Sequence, residues 1–304
     1  MKFPKKVEIF EVGPRDGLQS EKKVWSIEQR VSLVKLLLAA GIVDIEIGSF
    51  VRRDLLPQVA NTEKIIHALK SDQKKYSAKF WAFVPNKVGL EHAVQAKVNG
   101  VSFFVGVSDT FCKKNVNQSR ESLLKALTPL LKNARAEKLS TRVYLSTIVF
   151  CPYEGVMSPK ETALICDRIF DSGTKELVLS DTTGSANPKS LMKLLDIVLK
   201  KHSAKNIALH LHDTRGLALS NALIGMSYGI SRIDSSIAGM GGCPYAPGAS
   251  GNLATEDLAN MLLGMGHLQG VNLGLLAKAG LYAEKICERK LPSKVLRSLD
   301  KAGV

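Results

Sequence analysis

The chain has 304 residues, and its content of 45% hydrophobic and 23% charged residues is typical of a globular protein. This hydrophobic content excludes an intrinsically disordered chain, which combines low hydrophobicity with high net charge. Charged residues interrupt the longest apolar stretches, whereas a transmembrane helix needs about 20 mostly apolar residues. The composition therefore predicts no membrane partner.

The formal net charge is +14, from 42 Lys and Arg residues against 28 Asp and Glu residues. The lysines occur in scattered pairs, such as Lys22–Lys23 and Lys200–Lys201, and never as one long basic block. A basic surface in contact with water explains this pattern best. Binding of an acidic ligand with several phosphates is the second explanation, and binding of nucleic acid is the third. We therefore expect no nucleic-acid partner.

Five cysteines, an odd number without CxxC spacing, predict free thiols in a reducing compartment. An apolar run begins at Val7, and the six residues MKFPKK before it leave no room for a signal or transit peptide. Together these features predict a cytoplasmic protein.

Eight short segments rich in β-branched and aromatic residues recur along the chain and predict strands. They begin at Val7, Val43, Phe80, Val101, Val143, Glu176, Ile207 and Arg232. The segments between them have helical periodicity, and several carry start signals. Ser26 precedes the first helix, Pro159 and Pro188 occupy first helical positions, and Thr255 opens the helix after the eighth strand.

Largely apolar strands that alternate with helices predict an α/β fold with a parallel sheet covered by helices. Eight such units predict a (β/α)₈ TIM barrel with extra C-terminal helices, and an open doubly wound sheet is the alternative. No GxGxxG motif follows the first strand, which disfavours a dinucleotide-binding sheet. Without a linker, residues 1–304 are predicted to form one domain, with a barrel over about 7–270 and a helical segment over about 271–304.

Polar residues concentrate where the predicted strands end, and in a TIM barrel the functional residues lie at these ends. They are Arg15, Asp16, Gln19, Glu46, Asp181, Thr182, His210, His212 and Asp213. A glycine-rich loop, GMGGCPYAPGASGN, follows the eighth strand. Packing of a core does not explain this concentration, so the sequence predicts an active site at the barrel mouth.

The segment His210-Leu211-His212 places two imidazoles on one face of a strand, because side chains alternate along it. Asp16 follows the first strand, which adjoins the eighth in a barrel, and Asn252 lies in the loop after the eighth. Two imidazoles, a carboxylate and an amide oxygen suit Mg²⁺, Mn²⁺ or Co²⁺, and also Zn²⁺. An octahedral ion would keep two positions for a bidentate hydroxy-acid or hydroxy-carbonyl substrate.

Four residues have chemical roles that the sequence leaves open. Arg15 either stabilises a developing oxyanion beside the metal or pairs with Glu46, and both roles are compatible. Glu46 and Asp181 are each a base, a group behind the metal ligands, or an ion-pair partner. Cys243, in the glycine-rich loop, is a candidate proton donor or nucleophile.

Two long motifs carry a family resemblance. VGPRDGLQSE, residues 12–21, and SIAGMGGCPYAPGASGNLATEDL, residues 236–258, closely resemble the opening motif and the signature loop of the 3-hydroxy-3-methylglutaryl-CoA lyases. Shorter matches, including SDTTG and HLHDTRG, extend the resemblance over about residues 7–270. RDG alone would indicate only the wider superfamily of metal-dependent acyl-CoA and keto-acid enzymes. The two long motifs together are much more specific for the lyase family.

The resemblance implies a role for most of the polar residues at the barrel mouth. The implied ligands of a divalent cation, Mg²⁺ or Mn²⁺, are Asp16, His210, His212 and Asn252. The implied catalytic residues are Arg15, Glu46, Asp181, His210 and Cys243. The implied substrate contacts are Arg15, Gln19 and Thr182.

The implied reaction is cleavage of 3-hydroxy-3-methylglutaryl-CoA into acetyl-CoA and acetoacetate, so the expected partner is an acyl-CoA. A homodimer is the assembly we consider. Residues 52–55, Arg-Arg-Asp-Leu, replace the commoner Ser-Pro-Lys-Trp, so a related 3-hydroxyacyl-CoA is an alternative substrate. A Claisen-type acyl-CoA synthase of the same superfamily is the second alternative.

Overall fold

The computed structural model describes residues 3–242 and 251–301. Eight parallel strands close a barrel in the order β1-β10-β9-β8-β5-β4-β3-β2, and β6 pairs with β7 as a separate hairpin. The strands are β1 (Glu8–Glu11), β2 (Asp44–Ser49), β3 (Lys79–Phe83), β4 (Gly100–Gly106), β5 (Ser140–Ser146), β6 (Phe150–Cys151), β7 (Gly155–Val156), β8 (Glu176–Asp181), β9 (Ile207–Leu211) and β10 (Arg232–Ser235). Pairing of β1 with β10, with Ile9 opposite Ile233, confirms the barrel against the open sheet.

Helices follow the strands and cover the outside of the barrel. They are α1 (Ile27–Ala39), α2 (Thr62–Ala68), α3 (Lys70–Tyr76), α4 (Lys87–Gln95), α5 (Asp109–Val116), α6 (Arg120–Ala136), α7 (Pro159–Asp171), α8 (Pro188–Val198), α9 (Ala218–Ser227), α10 (Thr255–Gly264), α11 (Leu273–Cys287) and α12 (Lys294–Lys301). No helix in the described ranges is long and apolar enough to cross a membrane.

The predicted helix starts follow from local chemistry. Ser26 caps α1 through a reciprocal capping box with Gln29, and α7 and α8 both begin at a proline. The start of α10 lacks such a cap, because Thr255 is the first helical residue and does not cap the helix. Its hydroxyl donates to Glu11 at 2.7 Å and so ties α10 to β1.

The predicted C-terminal helices are present and pack on the barrel. In α11, Tyr282 lies edge-on to Trp25, just before α1, with ring centroids 6.3 Å apart. Asp257 of α10 accepts hydrogen bonds from the first turn of α12. One apolar cluster extends from Val7 to Leu296, which supports the proposal of a single domain.

The barrel interior is charged at the end where the strands begin. We call this layer the barrel floor, and it comprises Phe10, Asp44, Trp81, Arg142, Glu176 and Arg232. The Arg142 guanidinium is fully buried, lies 3.7 Å from the centroid of the Phe10 ring, and forms an ion pair of 2.8 Å with Glu176. Arg232 pairs with Asp44 and Glu176 at 3.0 and 3.1 Å. The floor therefore closes this end of the barrel with paired charges.

Candidate active site

Three residues predicted as metal ligands come together at the opposite end of the barrel. The ligating atoms of Asp16, His210 and His212 all lie within 4.8 Å of one another. His210 belongs to β9, His212 follows it, and Asp16 lies in the turn after β1. The fourth predicted ligand, Asn252, forms an isolated backbone bridge with His212. We call Asp16, His210, His212 and Asn252 the mouth cluster.

The turn Gly13–Gly17 brings Arg15 and Asp16 to the mouth together. Its backbone winds as a π-helical turn in which the amides of residues 15, 16 and 17 all donate to the Val12 carbonyl. A Cβ at Gly13 would lie 2.5 Å from the Glu11 carboxylate, and one at Gly17 would lie 2.7 Å from Ser236 Oγ. The close approach of this turn to its neighbours therefore requires glycine at both ends.

Two buried atoms of the mouth cluster make it a candidate site for a cation. His212 Nδ1 and Asn252 Oδ1 are buried and have no hydrogen-bond partner, which costs about 1–3 kcal/mol for each such atom. The Asn252 amide donates from Nδ2 to Asp16 at 3.0 Å and to the Met240 carbonyl at 3.2 Å, which leaves Oδ1 as the free acceptor. These atoms fit the ligand set predicted for a divalent metal.

The charge states of the cluster also suit a cation. Burial lowers the pKa of His212 to about 4, so its imidazole is neutral and keeps a lone pair at pH 7. Burial raises the pKa of Asp16, but Arg15 and the two histidines outweigh this and hold the pKa well below its usual range. At neutral pH the cluster thus offers a carboxylate and a neutral imidazole.

Arg15 is fixed between two carboxylates. Its Nε donates to Glu46 and its Nη1 donates to Asp16, each at 2.5 Å. The guanidinium also lies 5.3 Å from the ring centroid of Phe83 and 5.4 Å from that of Tyr144. The ion pair with Glu46 that the sequence suggested is therefore present, and it holds the Arg15 side chain beside the mouth cluster.

Glu46 is fully buried, and both of its oxygens have donors. Besides Arg15, Ser102 Oγ and the Tyr144 hydroxyl donate to the carboxylate, the latter at 3.3 Å. Local sequence patterns did not indicate Ser102 or Tyr144 as site residues, although each is a polar residue within a predicted strand. Their strands β4 and β5 lie across the barrel from the turn that carries Arg15, so local patterning does not reveal the contact.

Asp234 is a further residue of the site that local sequence patterns did not indicate. It lies directly beside His210 in the register between β10 and β9, and its Oδ2 is 3.3 Å from His210 Nδ1. An acidic residue in the middle of the predicted eighth strand was the available signal.

The remaining predicted residues lie in different surroundings. The Asp181 carboxylate accepts from the amides of Ser185 and Ala186, and burial raises its pKa to about 6. Thr182 Oγ1 accepts from the Thr147 amide, and Gln19 is exposed on the turn after Leu18. Asp181 thus holds its own loop in place, and Thr182 joins this loop to the segment after β5. The roles of Gln19, Asp181 and Thr182 in catalysis or substrate binding stay predictions.

Cys243 lies outside the described residues, and its role stays a prediction. The described base of its loop is tightly packed, because a Cβ at Gly251 would lie 2.8 Å from the Gly241 carbonyl. The Gly242 amide donates to Ser20 Oγ at 2.7 Å. The base of the loop therefore adjoins the turn that carries Arg15 and Asp16.

The unusual segment at residues 52–55 forms ion pairs at the exposed surface. Arg52 pairs with Asp54, Arg53 pairs with Glu63, and both arginines are exposed. They line a groove of about 810 Å³ whose walls come from α2, α3 and α4 and contain no member of the mouth cluster. The segment consequently gives no reason to change the acyl group expected at the site.

Comparison with known proteins shows the family of this chain. The HMGL-like family model matches residues 6–281. The mitochondrial hydroxymethylglutaryl-CoA lyase of Bos taurus is 42% identical over 296 residues, which cover 97% of this chain and 90% of that protein.

Solved structures agree with this sequence match. The crystal structure of the Bacillus subtilis HMG-CoA lyase has a TM-score of 0.95 and 39% identity, covering 99% of this chain and 100% of that one. An HMG-CoA lyase from Acinetobacter baumannii, solved in complex with coenzyme A and 3-methylmalate, has a TM-score of 0.90 and 30% identity, covering 100% and 97%. The chain therefore belongs to the HMGL-like family, together with the hydroxymethylglutaryl-CoA lyases of mammals and bacteria.

Proposed function

We propose that this protein is a divalent-metal-dependent carbon–carbon lyase that cleaves 3-hydroxy-3-methylglutaryl-CoA into acetyl-CoA and acetoacetate. The observation that carries the proposal is the pair of buried, partnerless atoms His212 Nδ1 and Asn252 Oδ1 beside Asp16 and His210. Such atoms are expected where a cation binds. Family membership links this site to lyase chemistry.

The residues that would hold the cation are Asp16, His210, His212 and Asn252, and their oxygen and nitrogen donors suit Mg²⁺ or Mn²⁺. When bound there, such an ion acts as a Lewis acid and lowers the pKa of a coordinated hydroxyl. The chain itself keeps His212 neutral and Asp16 ionised, so no proton has to leave these two ligands at neutral pH.

Arg15 is proposed to stabilise the enolate of the departing acetyl-CoA. Its bonds to Glu46 and Asp16 use two of the five N–H donors of a guanidinium, so donors remain for a substrate oxygen. Because the side chain is already fixed, little reorganisation is needed when charge develops on that oxygen. Glu46 acts in this scheme by holding Arg15.

Two proton transfers complete the reaction. A base takes the proton of the C3 hydroxyl, the C3–O electrons form the ketone of acetoacetate, and the C2–C3 pair moves into the thioester as an enolate. The candidate bases are His210, Glu46 and Asp181. His210 takes the proton only while its Nε2 lone pair is not bound to the cation. Hydrogen bonds hold the carboxylates of Glu46 and Asp181 in place. Cys243 is proposed as the acid that protonates C2.

The partner is proposed to be an acyl-CoA, in keeping with the coenzyme A complex of the Acinetobacter relative. A membrane or nucleic-acid partner is not part of the proposal. We retain the cytoplasm as the expected location, although the bovine relative is named mitochondrial, and a homodimer as the expected assembly.

The direct test is acetoacetate release from 3-hydroxy-3-methylglutaryl-CoA by metal-stripped protein, with and without Mg²⁺ or Mn²⁺. We expect release only with metal, and we expect His212→Ala to abolish it. His202→Ala is the matched control, because His202 contacts Asp167 on the outside of the barrel and should keep full activity. Equal release with and without metal would contradict the proposal.

A second variant tests the proposed proton donor. Cys243→Ser should slow turnover about a hundredfold if the thiol is the general acid, while Mn²⁺ binding stays intact. Unchanged turnover would remove Cys243 from the mechanism without affecting the metal site.

A further inference from the structure

The His210 ring is held between two carboxylates. Its Nε2 lies 3.8 Å from Asp16 Oδ2, on the side of the mouth cluster, and its Nδ1 lies 3.3 Å from Asp234 Oδ2. Asp234 is only 1% exposed and sits opposite His210 in the register of two adjacent strands. The position of Asp234 relative to the ring is thus set by the barrel backbone, with no loop involved.

The second oxygen of Asp234 is anchored to the barrel floor. Oδ1 accepts from Arg142 Nη2 at 2.7 Å, and Arg142 in turn pairs with Glu176 at 2.8 Å. The guanidinium also stacks on Phe10, which removes its freedom to turn. A chain of buried contacts therefore extends from the floor through Arg142 and Asp234 to His210.

The chemistry of these contacts selects one form of the histidine. A carboxylate paired with an arginine is ionised and has no hydrogen to donate, so His210 Nδ1 must be the donor. In a neutral imidazole the lone pair then resides on Nε2, the atom that faces Asp16.

We propose that Asp234 is a positioning residue, whose carboxylate holds His210 with the proton on Nδ1 and directs the Nε2 lone pair into the mouth cluster. This inference deepens the proposed function and rests on it for the metal. Partners of this kind behind a ligating histidine fix the tautomer and typically change metal affinity by about 10–100-fold.

Glu176 supplies a matched control. Its carboxylate also pairs with Arg142 inside the barrel, but no contact joins it to His210. Glu176→Gln therefore weakens the same ion-pair network as Asp234→Asn without touching the ring. A purely structural role for Asp234 predicts that the two variants behave alike.

The first measurement is the tautomer of His210 in the metal-stripped wild-type protein, read from ¹⁵N NMR with labelled histidine. The chain has six histidines, and the His210 signal is the one missing from His210→Gln. We expect the form protonated at Nδ1, and a form protonated at Nε2 would overturn the proposal. This result needs no metal, no activity and no variant of Asp234.

The second measurement is the affinity of the stripped proteins for Mn²⁺, by calorimetry. Asp234→Asn should weaken binding about 10–100-fold, whereas Glu176→Gln should stay close to wild type. Equal affinities in Asp234→Asn and wild type, or equal losses in both variants, would overturn the role of Asp234. If the wild-type protein does not bind Mn²⁺, the proposed function is wrong, and the tautomer of His210 alone decides the role of Asp234. The tautomer also decides that role if Asp234→Asn does not fold.

Discussion

The two ends of the barrel interior are both polar, but they differ in whether groups of opposite charge face one another. In the barrel floor each guanidinium lies 2.7–3.1 Å from a carboxylate of opposite charge. In the mouth cluster His212 Nδ1 and Asn252 Oδ1 have no partner. Paired charges indicate a structural layer that closes the barrel, and ligating atoms without a partner indicate a ligand-binding site. Polarity alone would not have separated the two ends.

Asp234 joins these two regions. One of its oxygens contacts Arg142 of the floor, and the other contacts His210 of the mouth cluster. The floor thus supports the site as well as closing the barrel. Because the floor pairs charges and the mouth offers ligating atoms, variants of the floor should act mainly on stability, and variants of the mouth mainly on metal binding and turnover.

The largest effect is the loss of stability expected from a substitution in the barrel floor. Arg142→Met leaves the buried Asp234 without its arginine and leaves Glu176 with Arg232 alone, which should lower the free energy of unfolding by about 3–5 kcal/mol in a urea titration. The matched control is Arg168→Met, since Arg168 pairs with Glu121 at the exposed surface and should change little. Similar losses in both variants would show that the floor is not a special structural element.

The second largest effect is the loss of turnover expected from a substitution beside the mouth cluster. Arg15→Met should lower kcat by about 10²–10³-fold with a smaller change in KM, because the charge that it stabilises develops only in the transition state. Arg53→Met is the control, because Arg53 pairs with Glu63 on the exposed groove and should leave kcat unchanged. A change in KM alone would make Arg15 a substrate-binding residue.

A smaller, pH-dependent effect on stability is expected from Glu11, the last residue of β1. Its carboxylate accepts from the Gly13 and Ile237 amides and from Thr255, and burial raises its pKa from 4.5 to about 7. The folded state then binds the proton more tightly than the unfolded state. The stability this contributes is complete below about pH 4.5 and is lost as the pH rises through about 7, by up to about 3 kcal/mol.

Glu11→Gln tests this expectation, because the amide resembles the protonated carboxyl and cannot ionise. Urea unfolding between about pH 5 and about pH 8 should show stability falling with pH in wild type and falling less in the variant. Parallel curves for the two proteins would mean that Glu11 is ionised in the folded state at neutral pH.

The order of elements and most of the mouth cluster were predictable from local signals. Periodicity and caps such as Ser26 mark the strands and helices, and parallel strands end on one side of a barrel, so Asp16, His210 and His212 were expected together. Ser102, Tyr144 and Asp234 were not found, because their roles depend on contacts across the barrel. Tyr144 meets Glu46 over a separation of 98 residues.

The sequence by itself determined the eight alternating units and the ligating residues at the strand ends, since these follow from side-chain periodicity and chain direction. Only the tertiary structure decided which inward polar side chains meet, because strand register and closure of β1 on β10 set those distances. Closure also placed Arg142 between Glu176 and Asp234, and left His212 Nδ1 without a partner. Whether a buried polar atom is satisfied depends on its neighbours in space, and these come from distant parts of the chain.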